Sequence, residues 1–246
     1  MLQGDTSFIG QSVRPAWHIP ALDGGNGRYL YARCKRIVDV ILAAAALALF
    51  SPLMLLIALL IKLDSPGPVL FVQERVGCKP RINRRRIAYQ PCQFYVYKFR
   101  SMRVQADHGL HERFVREFVA ARGEQASIGT FKISGDSRLT RVGRVLRKTS
   151  LDELPQLLNV LKGDMSLVGP RPVPPYEVAL YEEAHYQRLA TLPGITGMWQ
   201  VRGRSRVPFE QMIRMDIEYV QKASLWLDLK ILLLTIPAVI SGRGAE

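Results

Sequence analysis

The feature that most constrains this chain is an uncharged run, VILAAAALALFSPLMLLIALLI, from Val40 to Ile61. As a helix it would reach about 33 Å, enough for a hydrocarbon core of about 30 Å. It begins far from the N-terminus and no small-x-small site follows it, which argues against a cleavable signal peptide. Ser51-Pro52 stands at its middle. Proline lacks the N–H that would bond the carbonyl of Ala48, so a bend is expected there, with Ser51 placed to satisfy freed backbone groups. Arg28, Arg33, Lys35 and Arg36 precede the run, and Lys62, Arg75 and Lys79 follow it. Basic residues favour the cytoplasmic side, and here both flanks qualify. A bent helix that enters and leaves by one leaflet satisfies both ends; a plain spanning helix with a tolerated proline is the alternative.

The rest of the 246-residue chain is long enough to bury a core without staples. Its net charge of +13 points to an anionic partner: phosphates, an anionic membrane surface or nucleic acid. Three cysteines, Cys34, Cys78 and Cys92, form no Cys-x-x-Cys pair, which argues against a disulfide framework or a cysteine-based zinc site. Three parts are expected: a flexible leader over 1–33, a re-entrant membrane helix over 34–63 and a cytoplasmic or interfacial catalytic domain over 64–246. Val69–Gln73 reads as a short strand and Phe94–Met102 as a β-like aromatic stretch. Asp107–Ala121, Pro155–Lys162, Tyr176–Leu189 and Val207–Lys222 read as helices, the third of these ending at Leu189 and the second stopped by Gly163. The closing run SLWLDLKILLLTIPAVI suits either the membrane interface or packing on the first apolar segment. The expected fold class is mainly α with a small β-hairpin element and interfacial amphipathic helices, the membrane segment being a re-entrant helix of a monotopic membrane protein or, in the alternative, a spanning one.

The acids that could carry chemistry are Asp152 and Glu153, in RKTSLDELPQLLNVLKGDMSLVGPRP. Ser150-x-x-Glu153 could equally be a capping box, because acids belong at a helix N-terminus. Against that stands Pro155, comfortable only in the first helical turn, which would put both acids at the helix mouth. Arg147, Lys148 and Arg171 are close in sequence. A carboxylate pair beside a helix N-terminus and arginines suits phosphoryl transfer, one acid attacking phosphorus or holding water and the other holding Mg²⁺.

Other groupings are weaker. His108-Gly-Leu-His111-Glu112 is no zincin motif, and Arg141-Val142-Gly143-Arg144 reads only as a basic turn. Ser166 does not sit in a nucleophile elbow. The arginine run 81–86 reads as a membrane-surface patch rather than a nucleic-acid site, and the role of the arginine-rich insertion 79–92 as a whole stays open. Basic residues interleaved with aromatics at 94–103 could suit single-stranded nucleic acid, but the apolar segment argues against it.

Taken in order, KRIVDV before an apolar run with central Ser-Pro, QERVG, YKFRSM, the long stretch from DSRLTRVGRV through VGPRP, and PGITGMWQVRGR resemble the bacterial sugar transferases, the monotopic phosphoglycosyl transferases. The resemblance covers about residues 34 to 245. It is strongest to the short transferases that start exopolysaccharide synthesis with galactose- or glucose-1-phosphate. It implies transfer of a hexose-1-phosphate from a UDP-sugar to undecaprenyl phosphate, with UMP released, on the cytoplasmic face of the inner membrane. It further implies Asp152 as nucleophile, Glu153 as the Mg²⁺ ligand, and Lys98, Arg100, Arg147 and Arg171 as supports for the dyad or the phosphates. The family's anchor is a re-entrant helix broken at Ser-Pro, matched here by Ser51 and Pro52. No nucleic acid partner follows from the resemblance, and a homodimer stays open. The chain departs from the family pattern between Gly77 and Phe94, where the interval is longer and contains Pro80 and Pro91, leaving strand pairing there unsettled.

Overall fold

The computed structural model describes residues 26–83, 86–104, 109–120, 136, 138–203 and 207–241. The leader before residue 26, Arg84, Arg85 and His108 lie outside the described residues. A single helix, α1, runs from Asn26 to Asp64 with Pro52 inside it. Residues 26–33, expected as leader, form its first two turns. Pro52 leaves the Ala48 carbonyl without its helical donor, and the Ser51 hydroxyl donates to that oxygen at 2.9 Å. Along the apolar run α1 presents bare side chains, with Leu49 at 72% and Leu55 at 73% exposed. This helix is long and apolar enough to cross a membrane.

Both ends of α1 are bound to one body. At the start, Lys35 Nζ donates to Asp228 Oδ2 at 2.8 Å and Asp39 Oδ1 accepts from the Leu167 N–H at 3.2 Å. At the finish, Asp64 Oδ2 accepts from the Val142 N–H at 3.0 Å, and Arg100 donates to the carbonyls of Ser65 and Pro66. Ile57 and Ile61 sit in a buried cluster with Phe99 and Leu146.

A two-stranded antiparallel ribbon follows, β1 (Leu70–Asn83) against β2 (Arg86–Phe99), in unbroken register from Leu70 opposite Phe99 to Asn83 opposite Arg86. The sequence reading had only short strands here. The arginine-rich interval is instead the far half of one long hairpin, with Pro80 opposite Tyr89 and Pro91 opposite Cys78. A two-stranded ribbon has two outer edges, and there a proline without an N–H breaks no ladder bond.

The helix α2 spans Gly109–Ala120, and α3 spans Arg141–Thr149. The stretch Arg141–Arg144, expected as a turn, is the first turn of α3, capped by the Thr140 hydroxyl on the Gly143 N–H at 3.0 Å. A Cβ at Gly143 would fall 2.0 Å from the Ser101 carbonyl oxygen, so only glycine lets α3 approach the end of the hairpin. A 3₁₀ turn over Leu151–Glu153 leads into α4 (Gln156–Lys162), which ends at Gly163 with φ of 87°.

A second sheet, parallel and not foreseen, pairs β3 (Ser166–Val168) with β4 (Gly194–Thr196). Between them the expected helix over 176–189 is split into α5 (Pro175–Val178) and a 3₁₀ segment, Glu183–Leu189. The chain closes with α6 (Met198–Arg202), α7 (Phe209–Lys222) and α8 (Leu225–Ser241). In α8, Asp228 and Ile231 are buried, whereas Trp226 is 72% exposed. Its Asp228 also accepts from Tyr31 at 2.9 Å and Tyr219 at 2.7 Å, so α8 packs on the start of α1.

Candidate active site

The chain enters the site through Ser150, which has φ of 58°, the one non-glycine residue among those described with a positive φ. The left-handed conformation costs a residue with a Cβ about 1–2 kcal/mol, and it turns the backbone sharply from α3 into the acids. Ser150 makes no side-chain cap bond. The capping-box reading therefore fails: Glu153 reaches across to another strand instead of back to Ser150. Its Oε1 accepts from Lys98 Nζ at 2.9 Å and from Arg171 Nη1 at 3.3 Å. Both acids precede the first turn of α4, with Pro155 at its N-cap.

Asp152 is 8% exposed. Burial pushes its carboxyl above the ordinary carboxylate range; Lys98 opposes that, Glu153 adds to it, and Arg147 and Arg171 oppose it. Burial pushes the Lys98 ammonium down, with Glu153 holding it up. Glu153 is thus ion-paired to Lys98 and Arg171, and buried Asp152 beside it feels the charges of Lys98, Glu153, Arg147 and Arg171.

Two elements hold this geometry. Lys98 is on β2 and the acids lead α4, and Asn159 of α4 joins them. Its Oδ1 accepts from the Tyr97 N–H at 3.1 Å and its Nδ2 donates to the Tyr95 carbonyl at 2.7 Å. A fully buried amide thereby bonds the backbone edge on one side of Lys98.

Of the residues singled out from sequence, the structure gathers Asp152, Glu153, Lys98 and Arg171. Arg147 lies near enough for its charge to act on Asp152, while its Nη1 stands 4.0 Å from Asp136 Oδ2. Arg100 is not brought to the dyad: 5% exposed, it braces the turn after α1 through the Ser65 and Pro66 carbonyls. Ser51 and Pro52 lie in α1, away from this chemistry.

Sequence reasoning missed Arg75 and Gln156. With Lys98, Glu153, Arg171 and Gly194 they line a small cavity at the dyad. Arg75 donates to the Pro172 carbonyl at 3.2 Å and to Gln73 Oε1 at 2.6 Å, and burial beside Arg171 pushes its guanidinium down to about 10. The arginine of QERVG was the available signal, but it was counted only as a flanking charge. Behind it a second cavity is lined by Arg75, Arg171, Arg188, Trp199 and Phe209. Buried ion pairs of Arg188 with Asp216 and, at 3.4 Å, with Glu177 support that wall.

A carboxylate pair among basic side chains, on a body fixed to both ends of a long apolar helix, is an arrangement suited to anionic groups. The bacterial sugar transferase family model matches residues 30–242, and the chain belongs to that family. The exopolysaccharide production protein ExoY of Rhizobium meliloti is 43% identical over 96% of this chain and 97% of its own length. A UDP-glucose:undecaprenyl-phosphate glucose-1-phosphate transferase of Xanthomonas campestris is 40% identical over 98% of this chain but 46% of its own length. An undecaprenyl-phosphate galactose phosphotransferase of Salmonella typhimurium is 41% identical over 86% of this chain and 41% of its own.

Proposed function

We propose that this chain transfers a hexose-1-phosphate from a UDP-sugar to undecaprenyl phosphate, releasing UMP and forming undecaprenyl-diphosphate-sugar, the first step of exopolysaccharide synthesis. The observation that carries the reading is the Asp152–Glu153 pair, with Asp152 buried and Glu153 ion-paired to Lys98 and Arg171. The Asp152 carboxylate attacks the sugar-linked phosphorus, and the bond from that phosphorus to the UMP oxygen breaks. An oxygen of undecaprenyl phosphate then attacks the same phosphorus and the aspartyl bond breaks, restoring the carboxylate. Lys98, Arg171 and Arg147 offset phosphate charge as it builds in each step.

Mg²⁺ fits this donor set. Such a cation takes one or two carboxylates together with substrate phosphates and water. Glu153 would hold it beside Asp152. No group of three or more His, Cys, Asp or Glu that could make an all-protein cage occurs among the described residues. When bound, the ion supplies charge neutralisation at the donor pyrophosphate.

The reaction needs the site at headgroup depth on the cytoplasmic face of the inner membrane, and a re-entrant α1 meets that need. Support comes from the polar ties at both ends of the apolar run, Lys35 and Asp39 before it and Asp64 and Ser65 after it, all to the same body. A helix that crossed the bilayer would separate them.

UMP release measured with undecaprenyl phosphate and UDP-glucose, UDP-galactose and UDP-N-acetylgalactosamine tests the function and selects the sugar. One donor should turn over, EDTA should abolish turnover, and Mg²⁺ should restore it. Glu153→Gln should lose most activity while remaining folded. Release from none of the three would contradict the reading, and full activity in EDTA would remove the metal from it.

A further inference from the structure

Arg36 lies four positions before the apolar run begins at Val40. Half-buried, its guanidinium turns toward α4. It donates through Nη1 to the Val160 carbonyl and through Nη2 to the Leu161 carbonyl, the latter at 2.9 Å. These carbonyls lie in the last turn of α4, at the negative end of the helix dipole, and the Val160 carbonyl also accepts from the Gly163 N–H at 3.0 Å. Ala43, Ala46 and Leu47 of α1 join Leu157, Val160 and Leu161 of α4 in one apolar cluster just beyond. The other end of α4 begins at Gln156, three residues after Glu153. One rigid strut of about 10 Å therefore links the base of the membrane helix to the dyad. A flanking positive charge alone needs no such bonds: Arg33, exposed about one turn earlier on α1, lies with its guanidinium over the Tyr29 ring of its own helix, 5.9 Å from the centroid.

We propose that Arg36 is a positioning residue that fixes the height of the dyad over the bilayer, and that it serves the lipid half of the reaction. The proposal rests on the transfer reading above. A soluble nucleotide-sugar reaches the dyad at any height. The phosphate of a polyprenyl acceptor is held at headgroup depth, so a dyad that tilts on α1 meets the donor as before and misses the acceptor. The apolar cluster keeps α1 and α4 together when the tie is lost, and the two carbonyls fix their angle.

The test uses the full chain in vesicles of phosphatidylethanolamine and phosphatidylglycerol, with undecaprenyl phosphate as acceptor and thermal unfolding as a check on folding. Arg36→Ala should raise the KM for undecaprenyl phosphate about tenfold, leaving the donor KM and the UMP burst without acceptor unchanged. Arg36→Lys, which keeps a donor for one carbonyl, should recover part of the loss. Arg33→Ala removes the same flanking charge and should change nothing. An unchanged acceptor KM in Arg36→Ala overturns the proposal, as does an equal rise in Arg33→Ala or a burst that falls in step with the acceptor step. If Arg36→Ala does not accumulate, Arg36→Lys decides by the same split of acceptor from donor KM. Absence of a UMP burst in the unsubstituted protein would instead count against the two-step transfer, and Arg36 would still be judged on the KM split.

Discussion

Asp152 shows how one side chain is placed between stability and use. Burial raises its pKa, so the folded state favours the protonated acid, whereas nucleophilic attack needs the carboxylate. A carboxyl raised on folding contributes stability below its unfolded pKa of about 3.9, and that contribution is lost as pH rises through the folded value. At neutral pH the ionised form is thus a cost, relieved in part by Lys98 and Arg147. Two outcomes are expected for Asp152→Asn. Turnover disappears, and thermal stability at pH 7 is equal to or above that of the parent, the gap closing as pH falls toward 4. In the parent, activity should rise with pH along a limb displaced above the ordinary carboxylate range. A marked loss of stability at pH 7 in Asp152→Asn would contradict the assignment. The dyad was legible in the sequence because Pro155 restricts where its helix can begin. Arg75, Gln156 and Asn159 were not, because a single polar residue in a strand or helix pattern carries no meaning until its partner is known. Asn159 matters through Tyr95 and Tyr97, more than sixty positions away.

Among the elements, the stop of α4 at Gly163 and the helix over 209–222 followed from local signals that the fold keeps. The hairpin followed in part: strands near 69–73 and 94–102 were expected, while pairing across Pro80, Pro91 and the arginines was left unsettled, and in a ribbon with two free edges these residues cost little and pairing extends through them. The segment 176–189 failed in the opposite direction. Its side chains carry helical spacing, but Glu182 turns the chain by capping a 3₁₀ segment, its carboxylate meeting the His185 N–H while His185 accepts from the Glu182 N–H. For α1, the sequence argument for a bend at Ser51-Pro52 meets a helix that continues through Pro52 and repairs the Ala48 carbonyl with Ser51. The topology is best read by labelling. Single cysteines at residues 28 and 66 in a cysteine-free variant should both resist an impermeant thiol reagent in intact cells. Replacing Ser51-Pro52 with Ala-Leu should make part of the population span, exposing residue 28. Labelling of residue 28 from outside in the unsubstituted segment would mean a crossing helix.

At the scale of the molecule, +13 net charge, a bare apolar helix and a dyad set among basic side chains belong to one task. In the proposed reaction both substrates are phosphates, one soluble and one lipid-borne, and α4 joins the acid pair to the long apolar helix. Charge and hydropathy in the sequence raised the expectation of a membrane and an anion; the contact between α1 and α4 exists only in the folded chain. A two-step transfer at one carboxylate lets the two substrates use the site in turn. The measurement closest to that claim is incubation of the protein with UDP-sugar labelled in the sugar, without acceptor. The account predicts stoichiometric UMP release and label on the protein at Asp152, discharged by added undecaprenyl phosphate, with no label on Asp152→Asn. If UMP appears only when undecaprenyl phosphate is present and no label is ever trapped, Asp152 is not the nucleophile and the sugar phosphate passes directly from donor to acceptor.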